Sequence, residues 1–274
     1  MSQRGEAGEL GQMWPPSGIN TAVAHNARVW DYWLGGKDNY AVDRKVGDSI
    51  GQMFPIIREL ARADRQFLIR VVRFLAGEAG MRQFLDIGTG LPTANNTHEV
   101  AQAVAPECRI VYVDKDPIVL VHARALLTSR PEGATDYLDA DIHDPDTILA
   151  GAARTLEFAQ PVAVMLLGSL NFVMDNDQAK AIVQRLMDAV PAGSYLAVGH
   201  PSLEEVNREA MAYWNEHGVP AIRGRTAAEL VQLLDGLELL EPGVVSLSRW
   251  RPEDSEDGGL PPEVPEYGVV ARKP

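Results

Sequence analysis

Residues 84–93 read FLDIGTGLPT: an apolar run ending in an acid, two glycines spaced Gly88-x-Gly90, then a segment that opens a helix. The run predicts a buried strand, the glycines a turn where backbone and ligand come close, and the helix start an electropositive end. Open α/β sheets hold nucleotide-like molecules at such a junction. A dinucleotide fingerprint GxGxxG would place a third glycine at position 93, where a pyrophosphate lies over the backbone. Thr93 stands there instead. The missing glycine argues against a pyrophosphate, and Asp86 just before the turn suits a ligand that carries a positive group.

The flanking chain supports the α/β reading. Apolar residues from Ile56 to Ala79 recur at helical spacing with Gly80 as a stop, which predicts an amphipathic helix leading into the first strand. After the turn, strands are expected at 109–113, 136–138, 162–167 and 195–198, and helices at 118–128, 177–190 and 203–217. Such alternation means a parallel sheet covered on both faces. Thr226-Ala-Ala-Glu229 is a capping box that opens a short helix ending by Gly236. Two strands, 237–250 and 267–271, close the chain around a Pro-, Gly- and acid-rich loop at 251–266. The expected fold is a Rossmann-like, doubly wound sheet of seven strands, mostly parallel with an antiparallel C-terminal strand. The expected divisions are a flexible tail over 1–18, a helical lid and lead-in helix over 19–80, and the Rossmann-like unit over 81–274.

Three acids follow three successive strands: Asp86, Asp114 in VYVDKDP, and Asp141 in YLDADIHDP. In a parallel sheet these strand ends lie side by side, so the carboxylates should line one crevice. Asp114 falls where an acid reaches ribose hydroxyls. Asp141 can accept from an adenine amino group while Ile142 packs on the ring, and Asp86 can hold an ammonium. Each acid taken alone could equally cap a turn. Together they suit an adenosine that bears cations, which is S-adenosylmethionine, and they penalise phosphates. The chain carries 25 Lys+Arg against 38 Asp+Glu, a formal charge of −13, which repels nucleic acid over most of the surface. The single cysteine, Cys108, rules out an internal disulfide and reads as a buried thiol, and the six histidines show no metal-ligand spacing. No metal is expected. No apolar stretch approaches a membrane span and the N-terminus lacks a signal-like core, so a cytoplasmic protein that avoids membranes is expected.

With these motifs in place the chain resembles a family of predicted S-adenosylmethionine-dependent methyltransferases long catalogued as a domain of unknown function. ARVWDYWLGGKDNYAVDR, RFLAGEAGMRQFLDIGTGLPT, THEVAQAVAPECRIVYVDKDP, PVAVMLLGSLNFV and AGSYLAVGH carry the resemblance, which extends from about Asn20 to Lys273. The glycine motif keeps Asp86, Gly88, Gly90, Pro92 and Thr93, and the second motif keeps Asp114, Asp116 and Pro117. The resemblance implies the seven-stranded sheet and the cofactor roles given above, with Lys115 beside them. It names no methyl acceptor. The loop GSLNFVMD lacks the Asn-Pro-Pro-Tyr turn common where amides or bases are methylated, which leaves oxygen, amine, sulfur or carbon on a small or medium-sized molecule.

Ser169 and Asn171 follow the fourth strand and His200 ends the fifth, so His200 is placed at the crevice mouth as a candidate base, Asn171 as a second catalytic candidate and Ser169 as a cofactor contact. His200 could equally fix a loop. The aromatic segment WDYWLGGKDNY reads as a lid: Tyr32, Gly36 and Asn39 are expected to face the cofactor, while Trp30 and Trp33 anchor the segment on the core. A non-catalytic module that binds S-adenosylmethionine and senses it is the alternative function.

Overall fold

The computed structural model describes residues 19–126, 128–253 and 259–274. The expected tail at 1–18 and residues 254–258 of the expected loop lie outside the described residues. A helical layer comes first, as β1 (Ala24–His25), α1 (Asn26–Trp33), α2 (Ala41–Met53) and α3 (Ile57–Gly77). The sheet unit follows as β2 (Gln83–Ile87), α4 (Thr97–Val104), β3 (Arg109–Asp114), α5 (Pro117–Leu126), β4 (Ala134–Asp139), α6 (Pro145–Ala152), β5 (Ala163–Leu167) and α7 (Asn176–Asp188). The chain ends with β6 (Tyr195–Pro201), α8 (Glu205–His217), β7 (Gly218–Val219), α9 (Ala227–Leu233), β8 (Glu238–Leu239), β9 (Val245–Ser246) and β10 (Glu266–Arg272).

The main sheet runs β4-β3-β2-β5-β6-β10-β8, with β9 also paired to β10. Strands β2 to β6 are mutually parallel, and β10 lies antiparallel to β6 with Glu266 opposite Pro201. The order reverses beside β2, whose neighbours are β3 and β5. Strand ends diverge there and leave a crevice, so the topology itself puts a binding site above the glycine turn.

Every residue of β2 is buried because helices cover both faces. Alternation of side chains along the strand assigns each to one layer. Phe84 packs with Leu68, Val72 and Leu75 of α3, whereas Leu85 and Ile87 pack with Ile148 of α6 and Ile182 and Leu186 of α7. Asp86 shares the Phe84 side and so meets α4. The helix expected over 56–79 is α3, and Gly80 behind it adopts φ +70°. The expected strand 237–250 is instead two short strands. Pro242 has no amide proton to donate and Gly243 turns left-handed at φ +81°, so β8 and β9 are separated by a bend, and a 3-10 turn over Leu247–Arg249 follows.

The N-terminal layer is tied to the rest of the fold near its start and braced within itself. β1 pairs in parallel with β7, Ala24 opposite Gly218. Arg28 and Asp43, 2% and 0% exposed, form an ion pair at 3.0 Å, and Arg28 Nη2 donates to the Val23 carbonyl at 2.6 Å. A buried ion pair fixes geometry strongly, since removal of either partner strands a charge. Among the described residues no helix is long and apolar enough to cross a membrane.

Candidate active site

The glycine turn has two different requirements. A β-carbon on Gly88 would lie 2.5 Å from that of Ser169, and the residue sits at φ +80°. Gly90, at φ +64°, and Gly168, at φ +72° after β5, have nothing within 4 Å of the same position. Gly88 therefore permits two strand ends to close together, while Gly90 and Gly168 border open space that a ligand can enter. The Gly90 amide donates to Asp114 Oδ2 at 3.0 Å and the Asp116 amide to Oδ1 at 2.9 Å. Each carboxylate oxygen keeps acceptor capacity for a ligand hydroxyl.

Asp141 is held by Lys115 Nζ at 2.9 Å and by the His143 ring and amide at 2.6 and 3.0 Å. Partial burial works against ionisation, but these donors win and bring its carboxyl down to about 2. Asp86 behaves in the opposite way. Burial pushes it up to about 6 although Thr97 Oγ1 donates to it at 2.6 Å and Arg65 pulls it down.

One cavity gathers most of the expected residues. Gly88, Gly90, Thr93, Asp114 and Lys115 line it, as do Asp141, Ile142, Ser169 and Asn171. It spans about 1640 Å³ when the open solvent at its mouth is included. Ser169 Oγ and Asn171 Oδ1 are buried in its wall without a hydrogen-bond partner. Orphaned polar atoms beside open space mark where a ligand supplies the missing donors. Asp86 is set back in an adjoining recess with Thr97 and Tyr112, where it can act on a ligand's cation through the field.

Two expectations about placement are corrected. Tyr32, Gly36 and Asn39 do not line the cavity. Tyr32 donates to Asp48 at 2.6 Å under Arg58, and Asn39 Nδ2 donates to Asp31 at 2.8 Å. Gly36 lies so close against the Asp31 carboxylate that any β-carbon would overlap it. These residues order the loop around Asp31, and it is Asp31, Trp30 and Trp33 that reach the cavity. On this short helix Trp30 and Trp33 are three apart and share a face, from which Tyr32 turns away toward Asp48 and Arg58. His200 is likewise absent from the wall. It is 0% exposed inside β6, its Nδ1 lies 3.0 Å from the Pro201 carbonyl, and its Nε2 lies 2.8 Å from Arg225 Nη1.

Other wall residues were not singled out by the sequence. Asp64 and Arg65 come from α3, Trp214 from α8 and Glu266 from the first position of β10. Asp64 and Arg65 sit among polar positions that read as an ordinary solvated helix face. A charged residue at the start of a final strand carries no pattern of its own. Only the adjacency of α3 to the glycine turn, visible in three dimensions, distinguishes them.

An open sheet whose order reverses beside a glycine-turn strand, with acids at successive strand tips, defines the Rossmann-like methyltransferase fold class. A family described as S-adenosyl methyltransferase matches residues 12–274, and the chain belongs to that family. It is 44% identical to a DUF574-family protein from Streptomyces avermitilis, with a TM-score of 0.88, and the match covers 93% of this chain and 99% of that one. It is 41% identical to a Thermobifida fusca protein provisionally described as a methyltransferase, with a TM-score of 0.86, covering 95% and 98%. The mitomycin 7-O-methyltransferase MmcR shares the fold at 16% identity and a TM-score of 0.51, over 90% of this chain and 68% of that one. No curated protein matches.

Proposed function

We propose that this chain transfers the methyl group of S-adenosylmethionine to a small or medium-sized acceptor. The observation that carries the proposal is the two-part character of a single cavity. Its polar half is made by Gly88, Gly90, Asp114, Lys115 and Asp141, and its apolar half by Trp30, Trp33, Phe54, Leu60, Met211 and Trp214. The first set of residues suits an adenosyl compound, and the second is more apolar wall than the nucleoside alone would need.

Asp114 accepts from the ribose hydroxyls, Ile142 covers the adenine and Asp141 accepts from its amino group. Arg65, whose Nη2 holds the Ala94 and Asn95 carbonyls at 3.0 and 2.9 Å, offers its guanidinium to the methionine carboxylate. Asp86 and the open backbone at Gly168 favour the ammonium end. The bound compound supplies an electrophilic methyl carbon on a sulfonium. The chain's share is to hold acceptor and sulfonium together with water excluded, since positioning accounts for much of the acceleration in such a displacement. Asn171, with Oδ1 unengaged, orients the acceptor.

Calorimetric titration with S-adenosylhomocysteine and with NAD tests the cofactor half; saturation by NAD alone would defeat it. Incubation of the protein with small-molecule extracts and methyl-labelled S-adenosylmethionine tests transfer. Label in an extractable small molecule is the expected result, and its absence across varied extracts would favour a sensor.

A further inference from the structure

The cavity wall contains an acid pair to which the cofactor assignments above give no role, Asp64 standing where the cavity meets the Asp86 recess. Asp64 from α3 and Glu266 from β10 both reach its wall. Glu266 is 3% exposed and Asp64 Oδ1 is enclosed without a hydrogen-bond partner. Burial, followed by the neighbouring Asp64, holds Glu266 well above the usual carboxylate range. Burial also brings Asp64 up to about 6, against the pull of Arg65. Two carboxylates that feel each other in a dry site do not both ionise near neutral pH, so the pair presents one negative charge and one neutral acid.

An independent feature faces the same space. Asn171, 6% exposed, has its Oδ1 unpartnered in this wall. The polar groups here are therefore weighted toward acceptors, while aromatic rings of Trp30, Trp33 and Trp214 surround them. An ammonium brings several N–H donors and a charge that aromatic faces attract. An oxyanion meets repulsion from the pair and finds no cation in this half except Arg65, which the cofactor reading uses.

Resting on the methyl-transfer reading, we propose that Asp64 and Glu266 recognise the acceptor's amino group, and that the acceptor is an apolar amine whose hydrocarbon body fills the chamber. For transfer, the ionised carboxylate first takes a proton from the bound ammonium, and the nitrogen lone pair so freed forms the new N–C bond while the C–S bond breaks with its electron pair remaining on sulfur. The product nitrogen keeps its remaining protons and leaves as a methylated ammonium. Positive charge thus moves from sulfur toward the pair, in the direction its field favours.

The test is calorimetry on the full chain saturated with S-adenosylhomocysteine at pH 7.5. The probes are phenethylamine, tryptamine and cyclohexylamine, each against its alcohol counterpart. At least one amine is expected to bind tenfold or more tighter than its alcohol. Asp64→Asn, which removes the carboxylate of the pair that ionises first, is expected to remove that preference while S-adenosylhomocysteine affinity stays within about twofold. Alcohols matching all three amines in the wild-type chain would overturn the proposal without recourse to any variant. Retention of the preference in Asp64→Asn would overturn it also. Failure of the wild-type chain to bind S-adenosylhomocysteine would instead remove the methyl-transfer reading on which it stands.

Discussion

Asp114 and Gly90 join the tips of two neighbouring strands: the carboxylate of one accepts the amide of the other at 3.0 Å. The same carboxylate is placed to take the ribose hydroxyls, so its loss should weaken the cofactor rather than the fold as a whole. A charge-assisted hydrogen bond contributes about 1.5–3 kcal/mol. Asp114→Ala is therefore expected to lower S-adenosylhomocysteine affinity about 10- to 100-fold by calorimetry. Unchanged affinity would take Asp114 out of the ribose role.

Arg65 can be separated from the adenosine contacts by choice of ligand. Its guanidinium is assigned to the methionine carboxylate, which 5′-methylthioadenosine lacks. Arg65→Gln should weaken S-adenosylhomocysteine about tenfold or more and leave 5′-methylthioadenosine nearly unaffected. Equal losses with both ligands would mean that Arg65 supports the turn through Ala94 and Asn95 and does not touch the carboxylate.

The buried acids give the unliganded chain a distinct pH dependence. Asp64 and Asp86 titrate near 6 in the folded chain against an ordinary value of 3.8, burial being the main cause for both. A raised carboxyl favours its neutral form in the fold. Stability is fully present below about 3.8 and is lost as pH rises toward 6, by up to about 3 kcal/mol for each group. Asp64→Asn removes one such loss. By scanning calorimetry its melting temperature should exceed that of wild type at pH 8, with the gap closing toward pH 4. A gap that does not vary with pH would show that Asp64 is not forced to ionise in a buried place.

The sheet was legible because strand, turn and helix signals are local. FLDIGTGLPT is contiguous, and the acids at 114 and 141 end strands that parallel topology must place beside it. The apolar half of the site was not legible for the opposite reason. Asp64, Trp214 and Glu266 belong to three elements far apart in the chain, and nothing local separates Asp64 from Glu59, the exposed acid of the same helix. The aromatic segment shows a finer failure. Its composition announced a role near the ligand, but the choice between Trp30 and Trp33 on one side and Tyr32 on the other depended on helix phase. The short α1 gives too few turns to fix that phase from sequence alone. His200 was expected beyond a strand ending at 198, whereas β6 runs on to Pro201 and encloses it, because strand ends are where sequence boundaries are least certain.

His200 has a structural part to play through Arg225. Burial lowers its ring to about 3, helped by the Arg225 charge and opposed by the Pro201 carbonyl. With Nδ1 donating to that carbonyl, Nε2 is left to accept from Arg225. Arg225 in turn donates to the carbonyls of Leu170 and Val173 at 2.9 and 2.6 Å, which clamps the turn that carries Asn171. His200 is therefore a positioning residue, and the sign of its linkage follows. A histidine whose folded value is depressed stabilises the fold above its ordinary 6.5 and loses that contribution as pH falls from 6.5 toward 3. The wild-type chain should lose melting temperature on acidification through that window, and His200→Gln should lack this part of the slope while melting lower at pH 7.5. With an amine acceptor, kcat/KM should show no inflection traceable to His200 between pH 6 and 7. An inflection there that disappears in a stably folded His200→Gln variant would restore the imidazole to the reaction itself and require β6 to open toward the cavity.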